Sequence, residues 1–479
     1  MISRVILILT LLISALSHSS AVDEEPVSGD AILPAKKSVL LLSEVTDSVE
    51  SLYPPLLAAL IERDIAAGRL QSAQGTFDFN VFAKVFGTPA GFYDSRTLET
   101  GFEKFLGLWG STVYGGYRLT EGDLLPNYYR TERTQEDGEL KVGIKVPLLR
   151  DGSIDKRRAL VMKARYDAAL ADPLIQRQEI DFVRAATNAY FNWLAAGNKL
   201  LLAQDQLNLA RDRVDLLKRQ VESGLLKKLV ITDNRRLVAD REIEATRARR
   251  AFEAASLALS LFHRSDDMEP LISGVDRLPK GFPRVIDPGK LEMVNDIRRA
   301  IELRPELKQL KIELAKIDVD IKQARNEMNP FLDTSVFGEQ SFGEEIYDDI
   351  EDFELKAMIE LRMPLERREA RGDRLAAESK QQQLLLSARF AKERIITEVK
   401  NTHSALIAAH EQISMTETNV ALAEELEAAE KEMFNQGASD FLAVQLREKS
   451  TFDARIKLVE AVKAFFVSLT AYQAASMQL

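Results

Sequence analysis

Long parts of this chain repeat apolar residues every three or four positions, the spacing typical of helices that pack along one another. One such stretch, residues 200–262, has two arms that meet near Gly224. Between Pro173 and Pro270 there is no proline, so each arm can continue for tens of residues. The pattern predicts a long helical hairpin that packs lengthwise against other helices in a bundle or tube.

The second half of the chain repeats the order of elements in the first half. Leu307 follows a proline at the start of a helical pattern, as Leu56 does 251 residues earlier. From Pro364 to the end there is again no proline, and a second hairpin turns at Gly437. Each half is therefore expected to contain a helix, two strands and a long helical hairpin.

Four short segments change the period from 3.6 to 2, which predicts strands with one apolar and one polar face. They lie at about 77–86, 139–147, 331–338 and 353–363. Proline at the end of the second segment and after the fourth removes a ladder donor and ends the pairing there. The apolar side would face lipid if these strands belong to a transmembrane sheet. The residues expected on this membrane-facing side are Phe77, Phe79, Val81, Leu140, Val142, Ile144, Phe353, Leu355, Ile359 and Leu361.

Residues 87–138, between the first two strands, are rich in glycine and polar residues and are expected to be mostly exposed loop, with 114–118 as a candidate strand extension. Of the chain's 22 Phe, 10 Tyr and 2 Trp residues, 13 lie between Phe77 and Tyr129. Aromatic residues gather at both interfaces of transmembrane barrels. The alternative is a soluble sandwich, but this part of the sequence supplies no second sheet for one.

The amino terminus has the features of a secretory signal. Arg4 precedes an apolar core at residues 5–16, and cleavage is expected after Ala21. This 12-residue core is too short to span a bilayer as a helix. We expect a signal peptide at 1–21, a flexible segment at 22–42, a first repeat at 43–263, a linker at 264–298 and a second repeat at 299–479.

The charge pattern and the cysteine content exclude several kinds of partner, cross-link and metal site. The chain has 74 acidic and 64 basic residues, which are mixed along the helices and give a net charge of -10. This pattern has no basic stripe for nucleic acid. Cysteine is absent from the sequence, which excludes disulfides, thiolate metal sites and a cysteine-linked lipid anchor.

Patterns for catalysis or metal binding are weak. His403 and His410 share a helical face, but neither an HExxH motif nor a third ligand accompanies them. The acidic run at 344–352 lacks the spacing and central glycine of a calcium loop and is interpreted as a solvated barrel loop. We expect no catalytic residues, no metal and no cofactor.

Four strands are too few to close a barrel, and an open sheet edge is not stable in lipid. Three copies of four strands would supply twelve strands, a number that closes, while their hairpins would stack into one helical cylinder. The expected fold is mainly α with β, in which three copies form a helical tunnel and a 12-stranded transmembrane β-barrel.

The duplicated order of elements, the Arg-Pro-Glu-Leu sequence at 304–307, the strand-exit Pro-Leu pairs at 147 and 364 and the two tip glycines resemble the TolC family of outer membrane efflux proteins. The resemblance covers residues 43 to 475. It implies a homotrimer in outer membrane lipid, with the helical tunnel in the periplasm. Such a trimer would be a passive exit duct of a tripartite efflux pump or type I secretion system in Gram-negative bacteria. An inner membrane transporter would supply the energy, and a periplasmic adaptor would grip the tunnel tips.

The resemblance also implies roles for tip residues. Family members often narrow the tunnel mouth with carboxylates nine residues after the second tip glycine, where this chain has Leu446. Asp233 and Asp440 are the remaining acidic candidates, so we expect an entrance with low sensitivity to cations. The expected adaptor-docking residues are Gly224, Leu225, Leu226, Gly437, Ala438, Ser439, Asp440, Phe441 and Leu442.

A periplasmic coiled-coil tether or adaptor without a membrane barrel is the alternative function. Such a protein would share the helical hairpins. It would not explain two alternating strand pairs or the concentration of aromatic residues.

Overall fold

A computed structural model of the 479-residue chain describes residues 38–90, 94–122, 133–224, 227–348 and 350–479. The expected signal peptide and two of the expected tip residues, Leu225 and Leu226, lie outside these ranges. The helices are α1 Leu42–Leu52, α2 Pro54–Gln74, α3 Lys156–Glu222, α4 Leu229–Ser260, α5 Met293–Leu303, α6 Pro305–Glu327, α7 Arg368–Asn435 and α8 Phe441–Ala475. The strands are β1 Asn80–Thr88, β2 Ser95–Phe105, β3 Thr112–Gly122, β4 Glu139–Pro147, β5 Phe331–Ser341 and β6 Phe353–Arg362.

Two long hairpins, α3 with α4 and α7 with α8, form most of the helical part. Helices α3 and α7 contain 67 and 68 residues, and at 1.5 Å per residue each is about 100 Å long. Asp155 caps the start of α3, because its carboxylate accepts hydrogen bonds from the backbone amides of Arg157 at 2.7 Å and Arg158 at 3.0 Å. The two hairpins also contact each other through α3 and α8.

The largest apolar cluster of the described chain, which we call the equatorial core, lies near the middle of α3. It contains Trp193, which has no exposed surface, and Phe191, whose ring stacks on Phe466 at 4.6 Å between centroids. The segment between α4 and α5 packs onto this core, since the Trp193 indole N–H donates to the carbonyl oxygen of Ser273 at 3.3 Å. The ring of Phe282, from the same segment, stacks on Phe466.

In the described residues, six strands form one antiparallel sheet in the order β1-β2-β3-β4-β5-β6. The mainly helical fold class with an antiparallel sheet is therefore confirmed, but the expected count of four strands is wrong. Residues 87–138, expected to be mostly loop, contain β2 and β3. Strand β1 consequently pairs with β2, and β4 pairs with β3 and β5 rather than with β1.

Glycines opposite aromatic rings explain why β2 and β3 did not show a strand pattern. A Cβ atom on Gly101 of β2 would lie 2.7 Å from the ring of Phe82, and one on Gly115 of β3 would lie 2.8 Å from the ring of Phe102. The rings fill the space that the missing side chains leave across the strands. On the side of β2 that carries Phe102, the pattern is interrupted by Arg96, Thr100 and Lys104, so neither face of β2 is continuously apolar.

The side chain of Gln135 joins two of the loops between strands. Its amide oxygen accepts from the backbone of Ile346 at 2.8 Å, and its amide nitrogen donates to the carbonyl oxygens of Tyr347 and Ile350. Gln135 is buried, so these hydrogen bonds are shielded from water. The β3–β4 and β5–β6 connections are thereby held together at the end of the sheet away from the helices.

Candidate functional site: the faces of the sheet and the hairpin tips

The register gives the sheet one apolar face. Val81 and Leu355, on the two outermost strands, are 74% and 70% exposed. All the residues expected to face the membrane lie on this side except Phe77, which lies in the short 3-10 helix Gly75–Phe77 and packs against Phe105. One row of cross-strand neighbours on this face is Val81, Phe102, Gly115, Val142, Gly338 and Leu355.

The opposite face of the sheet carries paired charges. Cations and anions alternate between neighbouring strands, so the face is polar while its charges largely cancel. It lines a cavity of about 750 Å³ that extends to Arg157 in the first turn of α3. The ion pairs on this face include Arg118–Glu139, Lys141–Glu339 at 2.9 Å, Lys145–Asp333 at 2.8 Å and Lys356–Glu339.

The second hairpin tip turns through a glycine in the left-handed region. Gly437 has a φ of 75°, and its amide donates to the carbonyl of Phe434 at 3.0 Å. The amide of Ala438 donates to the carbonyl of Met433 at 2.8 Å. This pair of hydrogen bonds is the Schellman motif, which satisfies the last carbonyls of α7.

Residues after this tip differ in exposure. Asp440 caps α8, because its carboxylate accepts from the amide of Ala443 at 2.8 Å. Phe441 is buried against the ring of Phe434, so it supports the tip from inside instead of offering an apolar surface to a partner. Leu442 is 60% exposed. Of these two apolar tip residues, Leu442 is therefore the one available for contact.

The first hairpin tip has a similar turn. Gly224 has a φ of 78°, and its amide donates to the carbonyl of Val221 at 3.1 Å. A buried amide joins the two arms just above it, since the side chain of Asn234 donates to the carbonyl of Ala210 at 3.1 Å. Asp233, one of the expected entrance residues, is exposed on α4.

A buried charge network, here called the tip network, connects the two hairpins near the second tip. The Glu448 side chain is 3% exposed and accepts from Arg213 of α3 at 3.0 Å. Lys431 of α7 lies 3.4 Å from the same carboxylate and 2.6 Å from Glu427. Burial acts to raise the pKa of Glu427, but hydrogen bonds from Lys431 and Thr451 outweigh it and the pKa is lowered.

Sequence reasoning missed this network, because Arg213 and Glu448 are 235 residues apart. Their local patterns resemble ordinary charged helix positions. The expected entrance residue Leu446 is 60% exposed on α8, two residues before Glu448.

The histidines of the described residues lie at or beside the equatorial core rather than together in a site. His403 and His410 contact the rings of Tyr472 and Phe465, and His263 is buried beside Glu44. Among the described residues, no group of three or more His, Cys, Asp or Glu side chains could hold a metal ion. Within the same ranges, none of the helices combines the length and apolar character needed to cross a membrane.

Comparisons with known proteins agree with this architecture. Residues 297–471 match the family model described as outer membrane efflux protein, and no curated protein is a significant match to the chain. The fold is similar to that of the outer membrane protein VceC from Vibrio cholerae, with 16% identity and a TM-score of 0.64 over 91% of this chain and 95% of that one.

Two further solved channels have a similar fold. The CmeC outer membrane channel of Campylobacter jejuni is 12% identical, with a TM-score of 0.64 over 96% of this chain and 94% of that one. The open-state MtrE outer membrane channel of Neisseria gonorrhoeae is 14% identical, with a TM-score of 0.63 over 91% and 88%. Residues 297–471 therefore match the model of the outer membrane efflux protein family, and the whole chain has the fold of these solved channels, in agreement with the resemblance of its sequence to the TolC family.

Proposed function

We propose that this protein is a passive exit duct in the outer membrane, working as a homotrimer in a tripartite efflux or type I secretion system. The observation that carries the proposal is a sheet with one apolar and one charged face, joined directly to two helical hairpins about 100 Å long. A channel wall needs both properties, because one face contacts lipid and the other contacts the transported aqueous phase.

The apolar face supports the membrane location. Val81, Val85, Leu355 and Ile359 are each at least 70% exposed in the single chain. An apolar patch of this extent is unfavourable in water and marks a surface that another phase or molecule covers. Outer membrane lipid is the covering that fits a sheet whose opposite face carries paired charges.

The hairpins would form the periplasmic tunnel, and their tips would dock a periplasmic adaptor. Both tips reverse through a glycine with positive φ and open space around it, at Gly224 and Gly437. Leu442 provides an exposed apolar contact for a helical hairpin of the adaptor. The inner membrane transporter would supply energy and substrate choice, so the duct needs no catalytic residue.

A periplasmic tether is the competing function, and membrane extraction distinguishes the two. An outer membrane duct is expected to stay in the membrane fraction in high salt and urea, to dissolve only in detergent, and to migrate as a heat-modifiable oligomer. A tether would be released by salt or urea without detergent. Release of that kind would overturn the proposed duct.

A further inference from the structure

We propose that β1 of one copy pairs with β6 of the next copy, so that three copies close a barrel of eighteen strands rather than twelve. The proposal rests on the proposed trimer and specifies which edges of the chain meet. Within the described residues, β1 and β6 are the two outermost strands, and each has a strand neighbour on one side.

Both edges are long and uninterrupted, and their lysines, Lys84 and Lys356, lie on the charged face of the sheet rather than on the apolar one. Strand β1 has 9 residues and β6 has 10, and neither contains a proline. Soluble sheets usually protect an edge by shortening it, interrupting it with proline or covering it. In lipid an edge must be paired, because no water is present to bond its free N–H and C=O groups. These two long edges are therefore suited to join one another.

Strand direction and side-chain alternation both allow this junction. With six antiparallel strands in sequence order, β1 and β6 run in opposite directions, so β1 of a second copy continues the antiparallel pattern. Val81 and Leu355 lie in one cross-strand row, which places the apolar sides of both edges on the same face of the sheet. The next copy therefore joins without reversing its faces.

A four-strand alternative would leave β1 and β2 outside the barrel and join β3 to β6. The pairing of β2 with β3 argues against it, because it runs without interruption from Ser95–Gly122 to Phe105–Thr112. The ring of Phe82 on β1 also lies over Gly101 on β2. The outer hairpin is thus a continuous part of the same wall.

Eighteen strands would make a wide pore. At a strand spacing of about 4.8 Å and a tilt of about 40°, the backbone diameter is about 36 Å, compared with about 24 Å for twelve strands. Barrels of 16–18 strands leave an aqueous channel. The ion-paired face of the sheet would line it.

Disulfide trapping tests the junction in the full chain, which contains no cysteine of its own. Leu355→Cys on β6 is combined in turn with Val81→Cys, Ala83→Cys and Val85→Cys on β1, a series that samples the register between copies. Oxidation in the native membrane is expected to give covalent dimers and trimers with at least one pair. The matched series combines Leu355→Cys with Val113→Cys, Tyr117→Cys or Leu119→Cys on β3.

A double variant within one chain controls for oxidation. Val336 and Ala357 are cross-strand partners, so Val336→Cys with Ala357→Cys is expected to form an internal disulfide. If that bond forms and the β1 series gives no covalent oligomer, or the β3 series alone does, the eighteen-strand proposal is overturned. A detergent-extracted trimer that cross-links through β3 would leave the proposed duct intact, so the two failures are distinguishable.

Discussion

The equatorial core and the tip network connect the same two hairpins by different interactions. At the equator, aromatic rings are stacked and excluded from water, with Trp193 fully buried and Phe191 against Phe466. Near the second tip, the connection between the hairpins is a buried ion pair between Arg213 and Glu448. Apolar packing tolerates changes of salt and pH, whereas an ion pair depends on the charge state of both partners.

This difference implies a rigid middle and a more easily rearranged end. A protein opens locally at different free energies along its structure, and segments with few buried apolar contacts open first. We therefore expect the tip to open before the equator. The following substitutions test that contrast, from the largest expected effect to the smallest.

Removal of the Trp193 side chain is expected to have the largest effect. Trp193→Ala leaves a cavity in the equatorial core and should lower the free energy of unfolding by about 3–5 kcal/mol. Trp109→Ala is the matched control, because Trp109 is 57% exposed and its loss should cost at most about 1 kcal/mol. Unfolding of the detergent-solubilised protein, followed by circular dichroism, gives both values. Equal losses would contradict the assignment of the core.

Neutralising the buried acid of the tip network is expected to rank second. Glu448→Gln leaves Arg213 buried beside a neutral group and should cost about 3 kcal/mol. Glu424→Gln breaks an exposed pair with Arg455, in which both side chains are 45% exposed, and should cost about 0–1 kcal/mol. Hydrogen exchange of residues 427–451 measures the change. Faster exchange at the equator than at the tip in Glu448→Gln would contradict the proposed contrast.

Some parts of these regions could be predicted from the sequence, and others could not. The hairpin turn at Gly437 was predictable because a glycine stands alone between two long apolar seams. The charge network was not, since the partner of Glu448 lies on another hairpin and many charged residues of this chain remain solvated. The strands with strict alternation, such as 353–363, were predictable, whereas β2 was missed because Gly101 takes its packing from Phe82 on a neighbouring strand.

A smaller effect is expected from the tip glycine. Gly437→Ala forces a side chain into a left-handed backbone conformation and should cost about 1 kcal/mol. Gly372→Ala makes the same change inside α7, where the space is open, and should stabilise the protein by about 0.5–1 kcal/mol. Thermal unfolding of the pair gives the sign of each change. A stabilising Gly437→Ala would rule out the described turn.

The two regions are also expected to respond to different pH ranges. Burial lowers the pKa of His263 below its ordinary 6.5, although Glu44 opposes this. The unfolded chain therefore binds a proton at His263 more readily than the folded chain does, so the equatorial core loses stability as pH falls through 6.5. Because the pKa of Glu427 is lowered in the folded protein, its charged form stabilises the tip at pH values above the ordinary pKa of 4.5. This stabilisation is lost as pH falls below that value.

Hydrogen exchange as a function of pH measures both responses. His263→Gln should flatten the response of the equator, and Glu427→Gln should flatten that of the tip. If each substitution altered the opposite region, the assignment of the two pH ranges would be wrong.

The smallest expected effect on stability comes from the exposed entrance candidate. Leu446→Glu should change stability by less than about 0.5 kcal/mol, while adding a carboxylate from each copy to the proposed tunnel mouth. We expect the wild-type channel to resist block by micromolar multivalent cations applied from the periplasmic side, and the variant to gain sensitivity. Strong block of the wild type would contradict the proposed entrance.

Ion conduction by the full chain tests the central claim most directly. The protein, purified in detergent and incorporated into a planar lipid bilayer, should give discrete and uniform steps of conductance, because the proposed trimer encloses a water-filled passage. A protein that remains monomeric in water without detergent and produces no conductance steps would contradict the account.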